Sequence, residues 1–264
     1  MSRVRVEIDN HIAAVTLTRA DKRNALDPEM AEAIVAAGQQ LCESDIRAVV
    51  LSGEGQAFCA GLDVMSFAKF AAADPEGLIM PRTHGNTNLF QEVAMVWRRL
   101  PVPVIAALHG AVYGAGFQLA LGADIRIAHP EAKLAVMEMK WGLVPDMGGM
   151  ALLPGLTRSD VIRRLTYTAT PIEAGQALDW GLVTEIADDP LAASLDLAAQ
   201  IAAKSPSAIR AAKRLIAVAE SGASEEDIFL AESREQADLI GKPHQMEQIA
   251  ANLAARAPVF KGKA

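Results

Sequence analysis

HGAVYGAGFQLALGADIRIA, residues 109–128, is the stretch on which the fold turns. An apolar run enters a cluster of glycines, a short apolar helix begins near Gly116, and a second strand-like run follows at 124–128. From Val102 to Ala123 only His109 and Gln118 are strongly polar, which meets the length of a membrane span. Gly110 and Gly114 even mimic a helix-dimerisation spacing. Pro101, Pro103 and the four glycines at 110, 114, 116 and 122 oppose that reading. A strand, a Gly-rich turn and a buried helix explain the window better. The first N–H groups of such a helix have no partner within it and carry the positive end of its dipole. Gly114, Ala115 and Gly116 are small enough to let a ligand reach them. A dinucleotide loop would need a third glycine where Leu119 stands, and no phosphate loop ending in Gly-Lys-Ser/Thr occurs.

Downstream, KLAVMEMKWGLVPDMGG (133–149) places Glu138 at the end of a strand-like run and Asp146 in a Pro/Gly loop. A carboxylate after an apolar strand is costly to desolvate unless it is used or paired. Arg126 and Lys140 are the plain pairing candidates. Upstream, AFCAGLDV (57–64) follows the apolar run AVVLSG (48–53). Gly61 permits tight backbone geometry there. The turn either relieves strain between strand and helix or aims an N–H at a ligand oxygen.

The remaining chain fills in an α/β layer. Val4, Val6 and Ile8 alternate with Arg5, Glu7 and Asp9, and Asp9-Asn10 can turn this strand into a second one through Val15 and Leu17. Asp27-Pro28 reads as an N-cap and first helical residue, followed by Met30, Ile34, Ala37 and Leu41 at helical spacing. VIAAL (104–108), DIRIA (124–128) and KLAVME (133–138) repeat the buried-strand pattern. Strands separated by helices imply crossover units. Beyond about residue 190 only helical signals remain, with starts at Ser205-Pro206 and Ser224, so a core of 1–195 and a helical region of 196–264 are expected.

Composition narrows the chemistry. The 264 residues are 51% hydrophobic and 22% charged, so a sizeable core is expected. A net charge of −7 argues against nucleic acid or an anionic membrane as partner, though not against an anionic ligand held locally. Cys42 and Cys59 imply no disulfide framework and are expected to be small buried residues in a reducing compartment. The five histidines lack ligand spacing, so no metal is expected, and no G-x-S-x-G elbow occurs. MSRVRVEIDN has no apolar h-region, which leaves the cytoplasm as the expected location.

AFCAGLDV, HGAVYGAGFQLALGADIRI and AKLAVMEMKWGLVPDMGG, in this order, resemble the enoyl-CoA hydratase/isomerase (crotonase) superfamily. KRNALD (22–27), TATPIEAGQALDWGLVTEI (168–186) and the helical tail extend the resemblance over nearly the whole chain. The resemblance implies a spiral of ββα units with C-terminal helices used in trimer formation, and so a homotrimer or a hexamer. It implies an acyl-CoA thioester substrate and no separate cofactor, coenzyme A being part of the substrate. The thioester oxygen would sit between the N–H groups of Leu62 and Ala115, the family usually having Gly at the second position. KRNAL and the Ala60–Asp63 turn match segments that hold the CoA nucleotide, which makes Arg23, Ala25, Ala60 and Asp63 candidate CoA contacts. PRTHGNTN (81–88), with Arg82 and His84, falls in the region that varies over the acyl pocket.

The chain departs from the family's hydratases at one position. Those enzymes resemble one another in carrying two glutamates, whereas here the first position is Gln118 and the second is Glu138. An amide cannot accept a proton from water at ordinary pH. A single shuttling carboxylate suffices to shift a double bond, so isomerisation of an enoyl-CoA in fatty acid metabolism is expected, with Glu138 carrying the proton. Asp146 matches an acidic position of dienoyl-CoA isomerases, and two neighbouring carboxylates would raise at least one pKa. The alternatives are a hydratase or another crotonase reaction in which Gln118 places a water, and a catalytically weak acyl-CoA-binding protein.

Overall fold

The computed structural model describes residues 2–66 and 74–262. The alternating residues of β1 build the first hairpin, although Ile8 near its end is exposed: β1 (Val4–Asp9) pairs antiparallel with β2 (Ile12–Leu17), Val4 opposite Leu17 and Asp9 opposite Ile12. Four further strands extend β2 in parallel, β3 (Ala48–Gly53), β4 (Val104–Leu108), β6 (Ile125–Ala128) and β9 (Glu185–Ile186). Parallel neighbours require crossovers, and the helices Pro28–Cys42, Leu89–Arg99 and Ala115–Leu121 lie within them. The first helix starts where expected, Asp27 accepting the Met30 N–H at 2.8 Å with Pro28 at its first position.

Period-two side chains give the large sheet two apolar faces. Val15, Val49, Leu51, Ala106 and Leu108 belong to the main core with Ile34, Trp97 and Phe117. Ala48, Val50, Ile105 and Ile127 face the other way and meet Ala198 on the helix Pro190–Ala202, with Leu197 and Ile201 beside them. Both faces are covered, as a parallel sheet demands. The expected boundary at 195/196 therefore falls inside a helix that packs on the sheet.

A second sheet, in the order β5 (Ala111–Tyr113), β7 (Lys133–Ala135), β8 (Ile172–Glu173), stands next to the glycine cluster. KLAVME was expected to run as a strand through Glu138. Instead the strand stops at Ala135 and Glu138 opens a 3-10 turn, Glu138–Trp141, closed by left-handed Gly142. Glu138 therefore lies outside the ladder. Cys59 is buried as expected; Cys42, the last residue of its helix, is exposed.

The C-terminal helices Pro206–Glu220, Glu225–Leu239 and Pro243–Leu253 complete the mixed α/β architecture. Lys213 anchors the first of them, its ammonium 2.7 Å from Asp124 and 2.8 Å from the Val102 carbonyl. The second has no buried residue and carries exposed Phe229 and Leu230. No helix among the described residues is long and apolar enough to cross a membrane.

Candidate active site

The turn at 57–62 is bound edge-on to the Gly-rich segment. Cys59 bridges Val112 in parallel, and the Tyr113 N–H donates to the Cys59 carbonyl at 3.0 Å. Gly61 has φ of 98°, and a β-carbon there would stand 3.0 Å from the Tyr113 carbonyl oxygen and 3.9 Å from the Ala115 nitrogen. Only glycine combines that dihedral with that approach. The turn is thereby pressed against the start of the Ala115–Leu121 helix. The N–H of Ala115 is the first of the helix, and among the described residues neither it nor the Leu62 N–H donates to a backbone carbonyl. Two unspent amides from separate segments thus meet at one place, one of them at a helix N-terminus.

Glu138 lies against the same place. A β-carbon on Gly114 (φ 47°) would be 3.4 Å from its Oε1, so the residue preceding the Ala115 amide is flush with the carboxylate. Arg126 and Lys140 do not pair with it. Arg126 is buried and donates to the carbonyls of Leu182 (2.8 Å) and Ala123 (2.6 Å). Glu138 Oε1 instead accepts from Nε2 of Gln118 at 2.7 Å, and Oε2 is buried with no hydrogen-bond partner among the described residues. Burial raises the Glu138 pKa, the backbone N–H of Glu138, then the Gln118 hydrogen bond and the Met137 N–H pull it back, and the nearby Asp146 charge pushes it up. Asp146 is exposed as a residue, so the upward push that local burial gives its carboxyl is damped by solvent.

Gln118 is fully enclosed, 1% exposed. Its Oε1 accepts the N–H groups of Met147 (2.9 Å) and Gly149 (3.0 Å). The loop carrying Asp146 is therefore fastened to the helix after the Gly-rich turn, which brings Gln118, Glu138 and the Asp146 loop together. Met147 and Gly149 carry no sequence signal for this role, since only their backbones act.

Arg23, Ala25, Ala60 and Asp63 also come together. The Ala60 N–H donates to the Arg23 carbonyl (2.9 Å), Leu26 to Gly61 (2.8 Å) and Asp63 to Leu26 (2.8 Å). Arg23 is exposed and left-handed, with φ of 50°. Asn24, buried and also left-handed, donates to the carbonyls of Glu54 and Ala57, both at 2.9 Å. Asn tolerates that conformation better than most residues, the one signal in KRNAL that marks its structural part. The Asp63 carboxylate is engaged by Arg19, which sequence reasoning missed. Arg82 is turned onto Gln91 and the carbonyls of Ile79 and Met80, while His84 lines a groove of about 480 Å³ with Val35, Leu78 and Phe90. Among the described residues no cluster of three His, Cys, Asp or Glu side chains could hold a metal.

Residues 7–263 match the family model described as enoyl-CoA hydratase/isomerase. The chain is 31% identical to the 1,2-epoxyphenylacetyl-CoA isomerase of Escherichia coli over 260 residues, covering 97% of each. It is 34% identical over 211 residues to the mitochondrial Delta(3,5)-Delta(2,4)-dienoyl-CoA isomerase of Mus musculus, a match of 77% of this chain that spans 64% of that protein's length. The structure superposes on the enoyl-CoA hydratase of Mycobacterium tuberculosis H37Rv with a TM-score of 0.87 at 28% identity, covering 100% of both chains.

Proposed function

The chain belongs to the enoyl-CoA hydratase/isomerase family, and from that premise we propose that it is an enoyl-CoA isomerase using Glu138 as its only proton carrier. The observation that carries this reading is the state of Gln118. Both lone-pair directions of its Oε1 are taken by backbone N–H groups, and its Nε2 can only donate. Gln118 therefore cannot take a proton from water, which leaves Glu138 with Asp146 beside it as the acceptors, whereas shifting a double bond along one face needs a single carboxylate.

In the proposed reaction a 3-enoyl thioester binds with its carbonyl oxygen between the Leu62 and Ala115 amides. Glu138 takes a proton from C2, and the electron pair of that C–H bond spreads onto the thioester oxygen and C4. The protonated carboxyl then returns the same proton to C4, leaving the 2-enoyl thioester and the starting carboxylate. Preorganised N–H donors aimed at the developing oxyanion lower such barriers, and losing one typically costs ~3 kcal/mol. Burial keeps the carboxyl's pKa raised toward the working range of a general base. Arg23 and the backbone of Ala25 and Ala60 would contact the CoA nucleotide; Asp63 would support that segment through Arg19.

The exposed apolar side chains of the C-terminal helices, among them Ile216, Phe229, Leu230 and Leu253, support assembly as a trimer or a dimer of trimers. A role in fatty acid metabolism in the cytoplasm completes the reading. Incubation with 2-enoyl-CoA and 3-enoyl-CoA in turn, with products separated, tests it. Interconversion of the two with little 3-hydroxyacyl-CoA supports isomerisation, and rapid formation of the hydroxy product refutes it.

A further inference from the structure

We propose that Gln118 is a positioning residue that fixes which oxygen of Glu138 exchanges protons with the substrate, and that Gly149 is glycine in order to let it do so. This deepens the reading above and rests on Glu138 being the proton carrier.

The N–H groups of Met147 and Gly149 can only donate, so the oxygen of the Gln118 carboxamide must face them. Its NH2 is thereby forced toward Glu138, 2.7 Å from Oε1. An oxygen that accepts this N–H cannot at the same time carry an acidic proton pointing along the same line. We assign the proton taken from substrate to Oε2, which is buried without a hydrogen-bond partner among the described residues, while Oε1 already gives one of its two lone pairs to Gln118. Backbone amides orient the carboxamide, and the carboxamide orients the carboxylate. No rotation of either group is needed between proton removal and return, because both steps use the same oxygen.

Gly149 is part of this device. A β-carbon there would stand 2.9 Å from both Cγ and Oε1 of Gln118, and its three nearest atoms all belong to that side chain. Its backbone is not in the left-handed region that would by itself demand glycine. Alanine at 149 would therefore press on the Gln118 side chain itself, from Cγ to Oε1, and push the carboxamide off its hydrogen bonds.

The two variants Gln118→Met and Gly149→Ala perturb the same contact from opposite sides. In both, kcat for 3-enoyl-CoA isomerisation is expected to fall roughly tenfold or more, with KM little changed, as for a misaimed catalytic group. Both should also move the acid limb of the kcat/KM profile to higher pH, since the ionised carboxylate loses a donor that stabilised it. A packing defect alone would lower the whole profile without moving that limb. An unmoved acid limb, or unchanged kcat, in either folded variant overturns the proposal; Gly149→Ala keeps the test available should Gln118→Met fold poorly. Glu138→Gln is run alongside. If it keeps its turnover, the parent reading has failed; if it is inactive while the two variants leave the limb in place, only this proposal has.

Discussion

The guanidinium of Arg19 lies 2.7 Å from the Asp63 carboxylate and 3.5 Å from that of Asp27, with a further hydrogen bond of 2.8 Å to the Ala25 carbonyl. It thus ties the segment after β2 to the first helix cap and to the turn that presents the Leu62 amide. Arg19 and Asp63 side chains are each 12% exposed, so the pair is mostly removed from water. Burial alone would raise the Asp63 pKa, but the Met65 N–H and Arg19 together hold it below the ordinary carboxylate value.

Replacing Arg19 by Ala should therefore leave Asp63 without its cation, while Asp27 keeps Arg3, destabilising the protein by about 2 kcal/mol, below the range for fully buried pairs. A carboxyl with a depressed folded pKa stabilises above its unfolded value, and that contribution is lost as pH falls through the folded one. The difference between wild type and variant in urea denaturation should accordingly be large at neutral pH and shrink toward about pH 3.

Asp146→Asn removes a negative charge beside Glu138. Since that charge raises the Glu138 pKa, the acid limb of the kcat/KM profile should move to lower pH, opposite in sign to the Gln118 and Gly149 variants. The activity loss on the alkaline plateau should stay within about tenfold. A pH–rate profile that moves upward would show that the two carboxylates are not coupled as described.

Glu138 also leaves a signature in stability. Its folded pKa is raised, so between the unfolded and folded values the native state binds more protons than the unfolded chain, and stability falls as pH rises through that window. Glu138→Gln has no such loss. The variant should melt above wild type at neutral pH, each ~1 kcal/mol relieved being about 2–4 °C, and the two should converge below about pH 4. A lower melting temperature for the variant at pH 7 would mean the carboxylate is net stabilising.

What sequence reading recovered and what it missed divide by range. The β1–β2 hairpin, the Asp27-Pro28 helix start, the buried run 48–53 and the helix at Ala115 follow from local patterns, and all are present. The contacts that define the site join distant positions: Gln118 with Met147 and Gly149, and Arg19 with Asp63. No periodicity reports a hydrogen bond between a side chain and a backbone amide some thirty residues away. The strand expected through Glu138 failed for a related reason. The apolar pattern continues past Ala135, but the left-handed Gly142 and the bonds from Gly142 and Leu143 to the Glu138 carbonyl fold the chain back on itself. Cys42 was misjudged because composition gives a cysteine's average burial, not its place at an exposed helix end.

The helix Glu225–Leu239, without a buried residue, should become protected on assembly. Light scattering at micromolar concentration is expected to give a mass three or six times 28.0 kDa. Charged substitutions at Phe229 and Leu230 should lower that mass while leaving the monomer folded by circular dichroism. A wild-type monomer would refute the assembly.

The central claim is that Glu138 carries the proton while the amides of Leu62 and Ala115 hold the thioester oxygen. Glu138→Gln keeps shape and leaves an oxygen able to accept from Gln118, but removes the base. Two quantities are measured on the purified variant: the Kd of a saturated acyl-CoA and the turnover of 3-enoyl-CoA and 2-enoyl-CoA. The Kd should stay within a few-fold of wild type, while turnover falls at least ~10²-fold, the low end for general acid–base catalysis. Near-normal turnover with both substrates would contradict the assignment and turn attention to Asp146.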